Sequence, residues 1–124
     1  MLTNLFYVFM GGGLGSVFRF AISMIVTTCY SKSVFPLATF VSNILSCLVL
    51  VITMYLMKEK LDAEMPLRLL IVTGFCGGFS TFSAFSFETV ELMKSGNYAY
   101  AVINIFISVL SGIAIIYLLN RTAA

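Results

Sequence analysis

Hydrophobic residues run along this chain in four long blocks, each parted from the next by a short polar stretch. The first block extends from about Leu5 to Thr28, interrupted only by Arg19, and ends in the turn Tyr30-Ser31-Lys32-Ser33. The second extends from about Phe35 to Met57, the third from about Leu67 to Met93 and the fourth from Tyr98 to Leu119. Each is long enough to cross a hydrocarbon layer, which takes roughly 20 apolar residues in an α-helix. The pattern predicts an all-α membrane protein of four transmembrane helices, with residues 1–124 as a single domain. Between the second and third blocks lies Lys58-Glu59-Lys60-Leu61-Asp62-Ala63-Glu64, followed by Pro66, a residue suited to the first turn of a helix. This is the expected water-exposed loop, and Lys94-Ser95-Gly96-Asn97 is the turn before the fourth helix.

Composition agrees with a lipid setting: 60% of residues are apolar and 10% charged, against roughly 45–50% and about 25% in soluble domains. The net charge of +2 arises from scattered residues and leaves no basic patch for nucleic acid. Cys29, Cys47 and Cys76 lack metal-ligand spacing and the chain has no histidine, so they are expected to be buried, reduced packing residues. The first apolar block is too long for the core of a signal peptide and has no basic leader, so it is expected to stay in the mature protein. Lys58, Lys60, Arg68 and Arg121 fall on one side of the membrane, and Lys32 and Lys94 on the other. That bias is weak, and fits either a cytoplasmic N-terminus or a chain that inserts both ways.

Polar groups inside a span are costly and mark candidate sites. The third block holds most of them. Gly74, Gly77 and Gly78 crowd five positions and are followed by Ser80, Thr81, Ser83 and Ser86. Glycine is a poor helix former, by about 1 kcal/mol relative to alanine, so the helix is expected to break between Gly74 and Ser80. Broken helices expose carbonyls that coordinate cations; a glycine face for close helix packing is the alternative. Phe79, Phe82 and Phe85 recur at intervals of three, which would put them on one helical face. Their positive ring edges suit an anion, or they are core or lipid-facing aromatics. Asn43 lies midway along the second span with Thr39 and Ser46 near its face, and its amide offers donors to an anion or to a neighbouring helix. Asn104, Ser108 and Ser111 form a polar stripe on the fourth span. Arg19 and Glu88 fall at similar depth, as a water-filled vestibule or a buried ion pair. Gly11, Gly12, Gly13 and Gly15 include a G-x-x-x-G spacing for tight helix contact.

These residues, taken in order, resemble the CrcB/Fluc family of fluoride ion channels. The resemblance is carried by Gly12, Gly13 and Arg19 in the first span and Asn43 in the second. It continues in the run Gly74-Phe75-Cys76-Gly77-Gly78-Phe79-Ser80-Thr81-Phe82-Ser83-Ala84-Phe85-Ser86 with Glu88, and in Gly96-Asn97-Tyr98 before the fourth. It implies an antiparallel, dual-topology homodimer in the cell's inner (plasma) membrane, with two fluoride pathways and a third helix broken mid-membrane. It further implies a structural sodium ion at the dimer interface, held by the carbonyls of Gly77 and Ser80. Phe82 and Phe85 would offer ring-edge anion sites and Asn43 a donor, with Thr81, Ser83 and Ser108 as further polar positions of the path. Arg19 and Glu88 would lie in the vestibule. The chain departs from the family in Ser80 for a common Thr, Ala84 for a usual Thr, Asn104 for a Tyr of some members, and Ser42 for a commoner Val. The implied activity is passive export of fluoride that entered as hydrogen fluoride, which relieves fluoride toxicity.

Three rival functions are weaker. A proton-coupled multidrug exporter needs a carboxylate embedded centrally in the membrane, whereas the first span carries an arginine and Glu88 and Glu91 come late in the third. A non-conducting assembly subunit would explain the glycines but not the clustered hydroxyls and phenylalanines. An enzyme would need a nucleophile and base or a metal-ligand set, and none is visible.

Overall fold

A computed structural model of the chain describes residues 1–58 and 65–123. Apart from Lys58, the expected polar loop through Glu64 lies outside the described residues. The chain forms helix α1 (Leu2–Cys29), α2 (Leu37–Leu56), a composite third span and α6 (Tyr98–Ala123). The third span consists of α3 (Met65–Arg68), a π-helical segment (Leu69–Cys76), α4 (Gly77–Phe79) and, after a break, α5 (Phe82–Lys94). Among the described residues four helices are therefore long and apolar enough to cross a membrane, and the protein is a multi-pass membrane protein. The third of them is broken, as the sequence predicts.

Backbone contact between α1 and the first half of the third span organises the rest. Gly11 and Gly15 on α1 face Gly74 and Gly78 across the interface, two small-residue pairs each separated by one helical turn. A Cβ at Gly11 would collide with the Leu70 carbonyl oxygen, one at Gly15 with the Phe75 carbonyl oxygen and one at Gly78 with the Gly12 carbonyl oxygen. At Gly74 it would sit 2.9 Å from both the Gly11 Cα and the Val8 carbonyl oxygen. This packing explains why the glycine run stays helical instead of breaking between Gly74 and Ser80. Tertiary contact outweighs propensity there. Gly74 lies in the π-helical segment, a wider turn concentrated at functional positions, and Gly77 and Gly78 lie in α4.

The break falls at Ser80 and Thr81, which are extended at φ −85°, ψ 153° and φ −149°, ψ 117°. Hydroxyl side chains offer local partners that compete with the helical ladder. Ser80 Oγ donates to the Cys76 carbonyl at 2.8 Å, and Thr81 Oγ1 accepts from the Ala84 amide at 3.2 Å, capping α5.

Several polar side chains point inward, and many large apolar ones point outward. Ser42, Ser46, Thr53, Thr89 and Asn104 are buried. Phe9, Phe20, Ile52, Leu56, Phe106 and Leu110 are all exposed. Such a surface is stable only against lipid or protein. Of the cysteines, Cys76 is buried and Cys47 half-buried, but Cys29, the last residue of α1, is exposed.

The glycine interface gives a stability contrast. Gly15→Ala is expected to lower stability by about 1–3 kcal/mol through overpacking. Gly13→Ala, whose Cβ would meet nothing within 4 Å, should be neutral or slightly stabilising. Thermal midpoints of the detergent-solubilised proteins check this, and equal midpoints for the two variants would contradict it.

Candidate functional site

A break in a membrane helix frees amides on one side and carbonyls on the other, and each needs a partner. Here the Thr81 amide, which would bond the Gly77 carbonyl in a continuous helix, donates to Asn43 Oδ1 of α2 at 2.9 Å. The Ala84 amide, the helical partner of the Ser80 carbonyl, goes to Thr81 Oγ1. The Gly77 and Ser80 carbonyls thereby lose their helical donors. The Gly78 carbonyl is taken by Arg19 Nε of α1 at 3.2 Å. The Cys76 carbonyl accepts from Ser46 Oγ at 3.0 Å and from the Ser80 amide at 3.0 Å.

The two sides of the break are electrostatically opposite. The C-terminal end of α4 presents carbonyl oxygens and attracts cations, whereas the N-terminal end of α5 presents amides and attracts anions. Gly77 stands on an open face, exposed and with nothing within 4 Å of a Cβ position. Among the described residues no cluster of three or more His, Cys, Asp or Glu side chains forms, so a cation at this point would be held by carbonyls.

At the N-terminal end of α5 an open cavity of about 250 Å³ is lined by Asn43, Ser80, Thr81, Phe82, Phe85, Ser108 and Val109. Because Asn43 Oδ1 is occupied by the Thr81 amide, its Nδ2 protons have no acceptor among the described residues. The Phe82 and Phe85 rings lie together with centroids 5.9 Å apart and planes at 39°. Phe82 is 79% exposed, so its ring edge is available. Phe79 does not share this face. The break intervenes, and Phe79 is buried against Phe75 at 5.4 Å and Phe18 at 6.5 Å. Ser83 is exposed and reaches the site only through Thr81, their hydroxyls 3.1 Å apart.

Arg19 and Glu88 line a second, smaller cavity of about 140 Å³ with Thr39, Ser42 and Ala84. They are not ion-paired. Arg19 is drawn to the Gly78 carbonyl, and Glu88 Oε1 accepts from Thr39 Oγ1 at 2.7 Å while its Oε2 is buried without a partner. The two side chains thus share a cavity lining without a salt bridge between them.

Sequence reasoning missed Thr89, which sits one turn beyond Phe85 and hydrogen-bonds both the Phe85 carbonyl and Asn104. Its spacing from Phe85 was the available signal. It also missed the carbonyl that Arg19 binds, which depends on where the helix breaks.

The structure yields a stability prediction for Asn43. Asn43→Leu leaves the Thr81 amide unpaired in the membrane interior and should cost about 1–3 kcal/mol. Faster hydrogen exchange at Thr81 together with a lowered thermal midpoint would bear this out; unchanged exchange would show that Asn43 does not hold the break.

Comparison with known proteins sets this geometry in context. The family described as CrcB-like protein, Camphor Resistance (CrcB), matches residues 6–119. A protein of Azobacteroides pseudotrichonymphae named fluoride-specific ion channel FluC is 41% identical over 118 residues, covering 95% of this chain and 94% of that one. Proteins of the same name from Pyrococcus furiosus and Escherichia coli are 40% and 36% identical, covering 90% and 92% of this chain and 88% of each relative.

Proposed function

The chain belongs to the CrcB-like family, and from that premise we propose that it is a fluoride channel of the cell's inner membrane, which lets fluoride leave the cytoplasm passively and so limits its toxicity. One observation carries the proposal beyond family membership. The Thr81 amide fixes the orientation of the Asn43 side chain, so its donor end is free beside two phenylalanine rings and Ser108 at the positive end of α5.

Fluoride is small and strongly hydrated, and passage requires groups that replace part of its water without holding it fast. The Asn43 amide supplies donors, Phe82 and Phe85 supply positive ring edges, and the hydroxyls of Thr81, Ser83 and Ser108 supply the rest. No cationic side chain lines this cavity. The ion is therefore attracted by dipoles alone and released again. Arg19, with guanidinium protons beyond the one bound to Gly78, would draw anions into the vestibule it shares with Glu88. No carboxylate lines the cavity of Asn43, Phe82 and Phe85.

The carbonyls of Gly77 and Ser80, stripped of their helical donors, fit a sodium ion, which would supply fixed positive charge to bind the negative end of α4. Two carbonyls do not complete the shell of a hard cation. A second copy related by a two-fold axis doubles them, and the open face at Gly77 leaves room for its approach. The weak bias of basic residues between the two sides is what an antiparallel pair requires.

Fluoride efflux from liposomes, measured against chloride, tests the function. The protein should pass fluoride and exclude chloride. Phe82→Ile and Phe85→Ile, which keep bulk and remove the quadrupole, should each slow efflux about tenfold or more while the proteins still run as dimers. Equal passage of chloride would defeat the channel assignment, and full flux in both Ile variants would reduce the rings to packing. Exhaustive sodium removal should weaken both dimer and flux. If both are unchanged once elemental analysis shows no trapped ion, the sodium site is wrong. An N-terminal tag should be labelled from both sides of intact cells; one-sided labelling of an active protein would rule out dual topology.

A further inference from the structure

Asn104 is the most buried large side chain of the chain, 1% exposed, and its hydrogen bonds run in one direction. Thr89 Oγ1 donates to the Phe85 carbonyl at 2.7 Å. That uses the one proton of the hydroxyl, so toward Asn104 it can only accept, and it does so from Nδ2 at 3.0 Å. The amide is thereby oriented with Oδ1 toward Ser108, whose Oγ donates to it at 3.1 Å. The direction of each bond is forced by the one before it.

A serine or threonine in a membrane helix ordinarily donates to the carbonyl four residues earlier. Thr27 does so to Ser23 at 2.6 Å, Thr28 to Met24 at 2.8 Å, and Ser111 does so to Ile107 on the same helix as Ser108. Ser108 departs from this pattern, as Thr39 and Ser46 do toward other helices, and it does so within its own helix: its hydroxyl is bound to the side chain, not the carbonyl, of the residue four positions back. Ser108 also lines the cavity of Asn43, Phe82 and Phe85.

From this we infer that Asn104 is a positioning residue for anion passage: its side-chain oxygen keeps the Ser108 hydroxyl off the backbone and available to the cavity. The inference rests on the fluoride-channel reading of that cavity. An ion arriving beside Ser108 takes the hydroxyl proton by rotation about the Cβ–Oγ bond, and Asn104 Oδ1 takes it back when the ion leaves. The relay also ties α6 to the Phe85 turn of α5, so donor and ring move together. Without the Asn104 oxygen, Ser108 returns to the carbonyl of residue 104 and the cavity loses a donor.

Asn104→Leu tests this, since leucine is of similar size, lacks the oxygen, and leaves Thr89 bonded to the Phe85 carbonyl. The first readout is a crystal structure of the variant. Ser108 Oγ should move to within hydrogen-bond distance of the residue 104 carbonyl, and an unchanged Ser108 rotamer overturns the inference whatever ion the protein conducts. The second is fluoride efflux in a double-mutant cycle. N104L and S108A should each slow efflux about tenfold, as loss of a donor to an anion does, and the double variant should match S108A alone. Effects that multiply would show that Asn104 acts by packing and overturn the inference. Should N104L fail to assemble, Thr89→Val removes the acceptor that orients Asn104, and the same cycle with S108A decides. A wild-type protein that passes no fluoride would defeat the channel reading, while the rotamer still decides the role of Asn104.

Discussion

In the membrane interior a helix that stops must find partners for the backbone groups it frees, and in this chain one hydrogen bond meets that demand. Asn43 Oδ1 accepts the Thr81 amide at 2.9 Å, where the third span turns extended. The bond substitutes for the helical one to Gly77, starts α5 in place, and frees carbonyls on the other side of the break. It also orients the Asn43 amide. A side chain that can accept through one end and donate through the other therefore joins the repair of the fold to the donor chemistry of the cavity. Aspartate lacks the donor end, and serine holds donor and acceptor on a single atom.

That bond is useful only because α1 holds the first half of the span rigidly. Gly11 and Gly15 interlock with Gly74 and Gly78 so closely that no side chain fits between the backbones. Close contact of this kind replaces the hydrophobic effect, which gives little net drive between helices in lipid. It also brings Arg19 to the Gly78 carbonyl, where its charge offsets the negative end of α4. The remaining free carbonyls and the positive end of α5 are then separated by two extended residues, so sites suited to opposite charges lie side by side in one break.

Much of this was legible in the sequence because lipid makes the code simple. Four apolar blocks gave four helices, and four of the polar residues inside them, Asn43, Ser80, Thr81 and Ser108, meet in one cavity. What was not legible depended on the position of the break. Glycine propensity put it in the run from Gly74, but packing on α1 kept that run helical, and the hydroxyls of Ser80 and Thr81 ended it instead. A shift of a few residues changes which face each side chain occupies. Phe79 accordingly belongs to the packing against Phe18, while Phe82 and Phe85 belong to the cavity. Asn104 was legible only as a member of the polar stripe on the fourth span, because its orientation is set by Thr89 on another helix, and spacing within one helix carries no trace of that.

The central claim is that Asn43 has two separable tasks, and Asn43→Asp separates them. Its carboxylate keeps an acceptor for the Thr81 amide, and negative charge is favourable at the N-terminal end of α5. It replaces the amide donor with a like charge in the proposed anion path. Thermal stability and fluoride efflux measured on the same purified protein should diverge: a melting midpoint close to wild type, with efflux abolished. A variant that keeps both its stability and its fluoride flux would contradict the account.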